Sequence, residues 1–165
     1  MPLAPQVTSA PLPPASQLHA VFTPGDFLDS YTVPATATPR QAGEIVVAFP
    51  SWVRRLLQLR TLLVTPFGLS TQGPEATDKL GLFPVLADLE QELIAGFDDK
   101  HLNFQVSLFA EGGQVTLSTW VKPHNFGGRA YLTAILPFHK MVVKNALRRV
   151  ARASRARTEQ AAQPV

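Results

Sequence analysis

The sequence predicts an α+β fold in which a curved antiparallel sheet wraps one long C-terminal helix, with two short helices after the first strand. Three observations carry this. Apolar and polar residues alternate with period 2 around residues 27–33 and again between residues 80 and 122. Helical spacing holds from 38 to 63, and residues 132–150 carry the longest amphipathic stripe of the chain.

The opening stretch MPLAPQVTSAPLPPASQ is uncharged and rich in Pro, Ala, Ser and Gln. It offers too little apolar surface to offset the entropy of ordering it, so residues 1–19 are expected to form a flexible Pro-rich leader. Residues 20–157 then form a single domain, and the TEQAAQPV stretch, 158–165, a frayed tail. In GDFLDSYTVP, Phe27, Asp29, Tyr31 and Val33 alternate with Leu28, Ser30 and Thr32 until Pro34 closes the first strand. Thr38-Pro39-Arg40-Gln41 offers an N-cap, a proline at the first helical position and the glutamine of a capping box. Pro50 ends that helix. Ser51 is expected to cap a second one, with Trp52, Leu56, Leu59 and Leu63 inward and Arg54, Arg55 and Gln58 outward.

Strands follow. Leu82–Leu86 contains Pro84 and belongs at a sheet edge or strand start. Glu90–Phe97 and His101–Ala110 flank the turn Asp98-Asp99-Lys100, and Glu111-Gly112-Gly113 signals a hairpin into Gln114–Lys122. Leu102, Phe104, Val106 and Leu108 share one face; His101, Asn103, Gln105 and Ser107 share the other. In the last element Leu132, Ile135, Leu136, His139, Val143, Ala146, Leu147 and Val150 form one stripe, with Lys140, Lys144, Arg148 and Arg152 opposite. Pro137 lies away from the centre of the stripe, where a kink would bend the helix around the sheet. This order of elements is that of a helix-grip fold, in which a cavity separates sheet and helix. A fully packed two-layer sandwich is the alternative.

The 165 residues include no cysteine, which removes disulfides and thiolate chemistry. No apolar run approaches the roughly 18 residues of a membrane span, and the N-terminus lacks the basic-then-apolar order of a secretory signal, so a cytoplasmic location is expected. Residues 1–128 hold 7 Lys/Arg against 11 Asp/Glu, whereas residues 129–165 hold 8 against 1. The basic character therefore belongs to the C-terminal segment.

The segments FPSWVRRLLQLRTLLVTPFGL, GFDDKHLNFQVSL and VTLSTWVKPHNFGGRAYLTAILPFHKMVVKNALRR resemble the bacterial family known as domain of unknown function 2867, over residues 20 to 150. HNxxGRxYLxxIxPFH is the most specific part. The resemblance implies a helix-grip, Bet v 1-like (START-like) fold and no established activity. Some relatives extend a nucleotide-binding, short-chain-dehydrogenase-like domain, which implies such an oxidoreductase as a partner. This chain has no GxGxxG of its own.

The candidate residues each have two readings. His139 stands in an apolar stripe where packing alone favours Leu: it is either a cavity imidazole able to bind a polar group or move a proton, or a core histidine with a structural partner. His124 and Asn125, with Arg129 beyond Gly127-Gly128, either hold an anion at a helix start or cap that helix. Asp98, Asp99 and His101 are a carboxylate–imidazole group or a solvated hairpin tip. The spacing of the histidines suggests no metal site. No cofactor is expected.

The leading expectation is a small, mainly apolar ligand between sheet and helix. Phe104, Val106, Leu117 and Val121 would form its wall on the sheet, Leu132, Leu136 and Val143 on the helix, and His139, Tyr131 and Arg129 the orienting contacts. The alternatives are a polyketide-cyclase-like enzyme with His139 as general acid/base, and a scaffold or polyanion-binding module using Lys140, Lys144, Arg148, Arg149, Arg152, Arg155 and Arg157. The absence of interleaved aromatics in that basic helix argues against nucleic acid.

Overall fold

The structure, a computed structural model, describes residues 5–68 and 73–163. Its strands are β1 (Thr8–Ser9), β2 (Phe27–Pro34), β3 (Lys79–Leu80), β4 (Phe83–Asp88), β5 (Glu92–Asp98), β6 (Leu102–Glu111) and β7 (Gln114–Pro123). They form one antiparallel sheet in the order β1-β2-β7-β6-β5-β4-β3. Helices α1 (Pro39–Val47) and α2 (Ser51–Val64) follow β2, and α3 (Phe126–Ala161) packs along the inner face of the sheet. The architecture is α+β and consistent with a helix grip.

Local chemistry explains the elements. Gly112 and Gly113, at φ of 59° and 74°, form the two-residue loop between Glu111 and Gln114, where a tight hairpin needs both residues left-handed. Thr38 and Gln41 close the expected capping box on α1. Pro84 pairs with Lys79 of the edge strand β3, near the sheet margin, where a missing N–H is tolerated. For α2 the N-cap is Pro50, without a side-chain bond, so Ser51 is the first helical residue rather than the cap. α3 runs unbroken through Pro137, whose ring is exposed.

The inner face packs Tyr31, Val33, Leu93, Leu108, Val115 and Leu117 against Val143, Leu147 and Val150 of α3. Several basic residues of α3 are engaged here, so the expected single solvated basic face is only partly realised. The Arg149 guanidinium donates to the carbonyls of Ile45 (2.6 Å), Ala48 (2.7 Å) and Val46 (3.2 Å), satisfying the C-terminal end of α1. Arg157 donates to Thr36 O, and Lys144 stands over the Tyr31 ring.

Three further sequence expectations are corrected. Residues 5–19 are not a loose leader: β1 pairs with β2, and Leu18, in a 3-10 helix spanning Gln17–Ala20, is fully buried against Ile94 and Trp120 on the outer face. Glu92 fastens this strap. It is buried, and accepts from Ser16 Oγ (2.6 Å), Gln17 N (2.8 Å) and Ser107 Oγ (2.5 Å). Residues 1–4 lie outside the described residues. At the other end α3 extends through Ala161, so 158–161 belong to the helix; 164–165 lie outside the described residues. On α2 the buried positions are Val53 and Val64, while Leu59 and Leu63 point outward. The stripe is rotated because Arg60, rather than Leu59, turns towards α3.

Candidate functional site

Period-2 alternation fixes which side chains share the inner face. In the ladder Asp29 stands opposite Thr119, and Thr119 opposite Val106; one register step along, Phe27, Val121, Phe104 and Phe97 form the next row. Directly opposed residues lie on one face of a sheet. A polar pair, Asp29 and Thr119, is thereby set beside an aromatic row. Phe104 meets Phe97 edge-on at 4.9 Å and Phe83 at 5.4 Å between ring centroids.

The first half of α3 brings His139 to this place. Its Nε2 lies 3.1 Å from each carboxylate oxygen of Asp29, with the two side chains 18% and 14% exposed, and its ring meets Phe27 edge-on. A carboxylate only accepts, so Nε2 carries the hydrogen and Nδ1 is left for another group. Thr119 is 6% exposed, yet its hydroxyl has no hydrogen-bond partner among the described residues. Burial, followed by the nearby Asp29 charge, pushes the Tyr31 phenol above its ordinary value.

Packing is uneven along the interior. Around Val33, Leu108, Val115, Leu147 and Val150 it is closed. Around the polar group, Phe27, Phe83, Phe104, Val106, Leu132, Leu136 and His139 are only half-buried. The expected wall therefore divides: Leu117 and Val143 belong to the closed core, Val121 is buried, and Phe104, Val106, Leu132 and Leu136 lie at the looser end.

The expected polar contacts do not converge. Tyr131 faces α2, where its hydroxyl accepts from Arg60 Nε at 2.8 Å and its ring lies under the guanidinium. Arg129 and Leu132 line an open cleft of about 660 Å³ with Thr23–Phe27, Lys122 and Pro123. Asn125 caps α3, its Oδ1 accepting from Gly128 N at 2.9 Å, the capping role offered above as one of its two readings. His124 Nε2 donates to Asp98 Oδ1 at 2.6 Å, and His101 Nδ1 lies beside Asn125. Asp98 thus serves His124 and not His101. Gly128 is required by close approach: a Cβ there would collide with the His101 carbonyl.

The alternation in β2 already placed Asp29 on the inner face, and a lone acid there was the available signal for a partner of His139. Thr119 gave no such signal. Among the described residues no group of three or more potential ligands could hold a metal ion, and no helix is long and apolar enough to cross a membrane.

The fold and interior define an α+β chain with a sheet, a covering helix and a small polar group in an otherwise apolar interior. Residues 22–146 match the family described as protein of unknown function DUF2867, and the chain belongs to that family. No curated protein and no solved structure matches it.

Proposed function

We propose that the chain binds a small, mainly apolar ligand between the inner face of its sheet and the first half of α3. The carrying observation is the buried, unpartnered hydroxyl of Thr119 beside the Asp29–His139 pair. A buried hydroxyl without a partner costs about 1–3 kcal/mol, and a ligand group that bonds to it recovers that cost. Half-buried Phe27, Phe104, Leu132 and Leu136 supply apolar contact, the composition usual for a small-molecule site.

Native mass spectrometry of gently purified protein tests this reading. A discrete non-covalent mass is expected in the wild type, and is depleted when Thr119→Val is purified identically. A bare wild-type chain that also fails to bind a naphthalene-sulfonate probe displaceable from this face would overturn it.

A second reading rests on one further observation, the carboxylate that orients His139, an arrangement used for general acid/base catalysis. In that case His139→Gln retains the co-purified mass, and the mass changes from product to substrate. An unchanged mass would leave binding as the whole function.

A further inference from the structure

We infer that the outward side of α2 docks on an anionic lipid surface. The helix packs through Val53 and Val64, with Arg60 reaching Tyr131 of α3. Its other side is apolar as well. Leu59, Leu62 and Leu63, at i, i+3 and i+4, are 51%, 72% and 61% exposed, and Phe67, in the 3-10 turn Thr65–Phe67, is 73% exposed. One stripe suffices to pack a helix, and among the described residues the second stays open to solvent.

Charge selects the occupant. Residues 51–67 contain Arg54, Arg55 and Arg60 and no acid. The adjoining first half of α3, residues 126–144, contains Arg129, Lys140 and Lys144 and again no acid, and it exposes Phe126, Phe138 and Met141. A second copy seated on α2 about a two-fold axis would oppose Arg54 and Arg55 to themselves with no carboxylate on either helix to relieve them. Acidic headgroups answer these arginines, while leucine and phenylalanine side chains enter the acyl boundary. Since no described helix is long and apolar enough to cross a membrane, the surface lies on a bilayer through α2.

Co-sedimentation of the full chain with vesicles tests this. Binding is expected to vesicles of phosphatidylcholine mixed with phosphatidylglycerol, about tenfold or more weaker to phosphatidylcholine alone, and weaker as salt rises. Leu62→Ser with Leu63→Ser lowers it by about tenfold or more, with circular dichroism and melting unchanged because both side chains lie outside the core. Three results would each overturn the inference: no binding to the mixed vesicles, equal binding to both compositions, or a dimer in sedimentation velocity that the same double substitution dissociates.

Discussion

His139 of α3 and Asp29 of β2 meet 110 residues apart in sequence, with Nε2 at 3.1 Å from both carboxylate oxygens. The pair ties the looser half of α3 to the second strand and sets an oriented imidazole among aromatic side chains. Both side chains are mostly buried, so the contact is screened far less than a surface ion pair.

That relationship predicts strong coupling. Asp29→Ala and His139→Ala are each expected to lower stability, and a double-mutant cycle by urea denaturation should return a coupling of about 1–3 kcal/mol. A coupling within error of zero would mean that the two groups are held apart in solution.

Thr119→Val removes the unpartnered hydroxyl while keeping the shape of the side chain. The variant is expected to be more stable than the wild type by about 1 kcal/mol and to bind less ligand, because a site adapted to a ligand group carries a cost when empty. Equal or lower stability in denaturant titration would mean that the hydroxyl finds a partner in the protein.

Strands β2 and β4 to β7, the capping box and α3 were legible because each rests on local periodicity or a turn whose residues adjoin in sequence. The strap was not. Its ordering comes from Glu92, Ile94 and Trp120, more than seventy residues away, and from an outer sheet face bearing Ser30, Ser107 and Ser118 where a solvated face would carry charge. His139 was legible as a histidine in an apolar stripe. The grouping with Asp29 and Thr119 needed strand register, and the rotation of α2 followed from Arg60 reaching Tyr131, which helical spacing does not encode.

Glu92→Gln tests the strap. Its three partners, Ser16, Gln17 N and Ser107, all donate, and an amide offers one accepting oxygen where the carboxylate offers two. A loss of roughly 1–3 kcal/mol is expected, together with faster cleavage of residues 5–22 under limited proteolysis. Unchanged cleavage would show that apolar burial of Leu18 alone holds the segment.

Arg149→Met keeps the apolar stem but leaves the carbonyls of Ile45, Val46 and Ala48 without the guanidinium. A loss of about 2–3 kcal/mol is expected, with Arg149→Lys recovering only part because one ammonium cannot span three carbonyls. Thermal melts of both variants decide this. Full recovery by lysine would show that charge near the end of α1, rather than fork geometry, is what matters.

Asp26 gives the pH dependence. Burial raises its pKa, but donation from Thr23 N and the Trp120 indole, then the Thr23 hydroxyl and nearby Lys122, outweighs that and leaves the carboxyl below its ordinary value. A depressed pKa means that the folded state holds the proton less tightly than the unfolded chain. The associated stability is therefore complete above the unfolded value of about 3.9 and fades as pH falls through the lower folded value. Asp26→Asn lacks that contribution, so the difference in urea midpoint between wild type and variant should be largest near neutrality and shrink below about pH 4. Trp120 fluorescence, read in a Trp52→Phe background, follows the same group, since its indole N–H lies 2.9 Å from the Asp26 carboxylate. A midpoint difference that stays constant from neutral to acid pH would show that the carboxyl keeps its ordinary value, with Trp120 held by packing against Leu18 and Ile94.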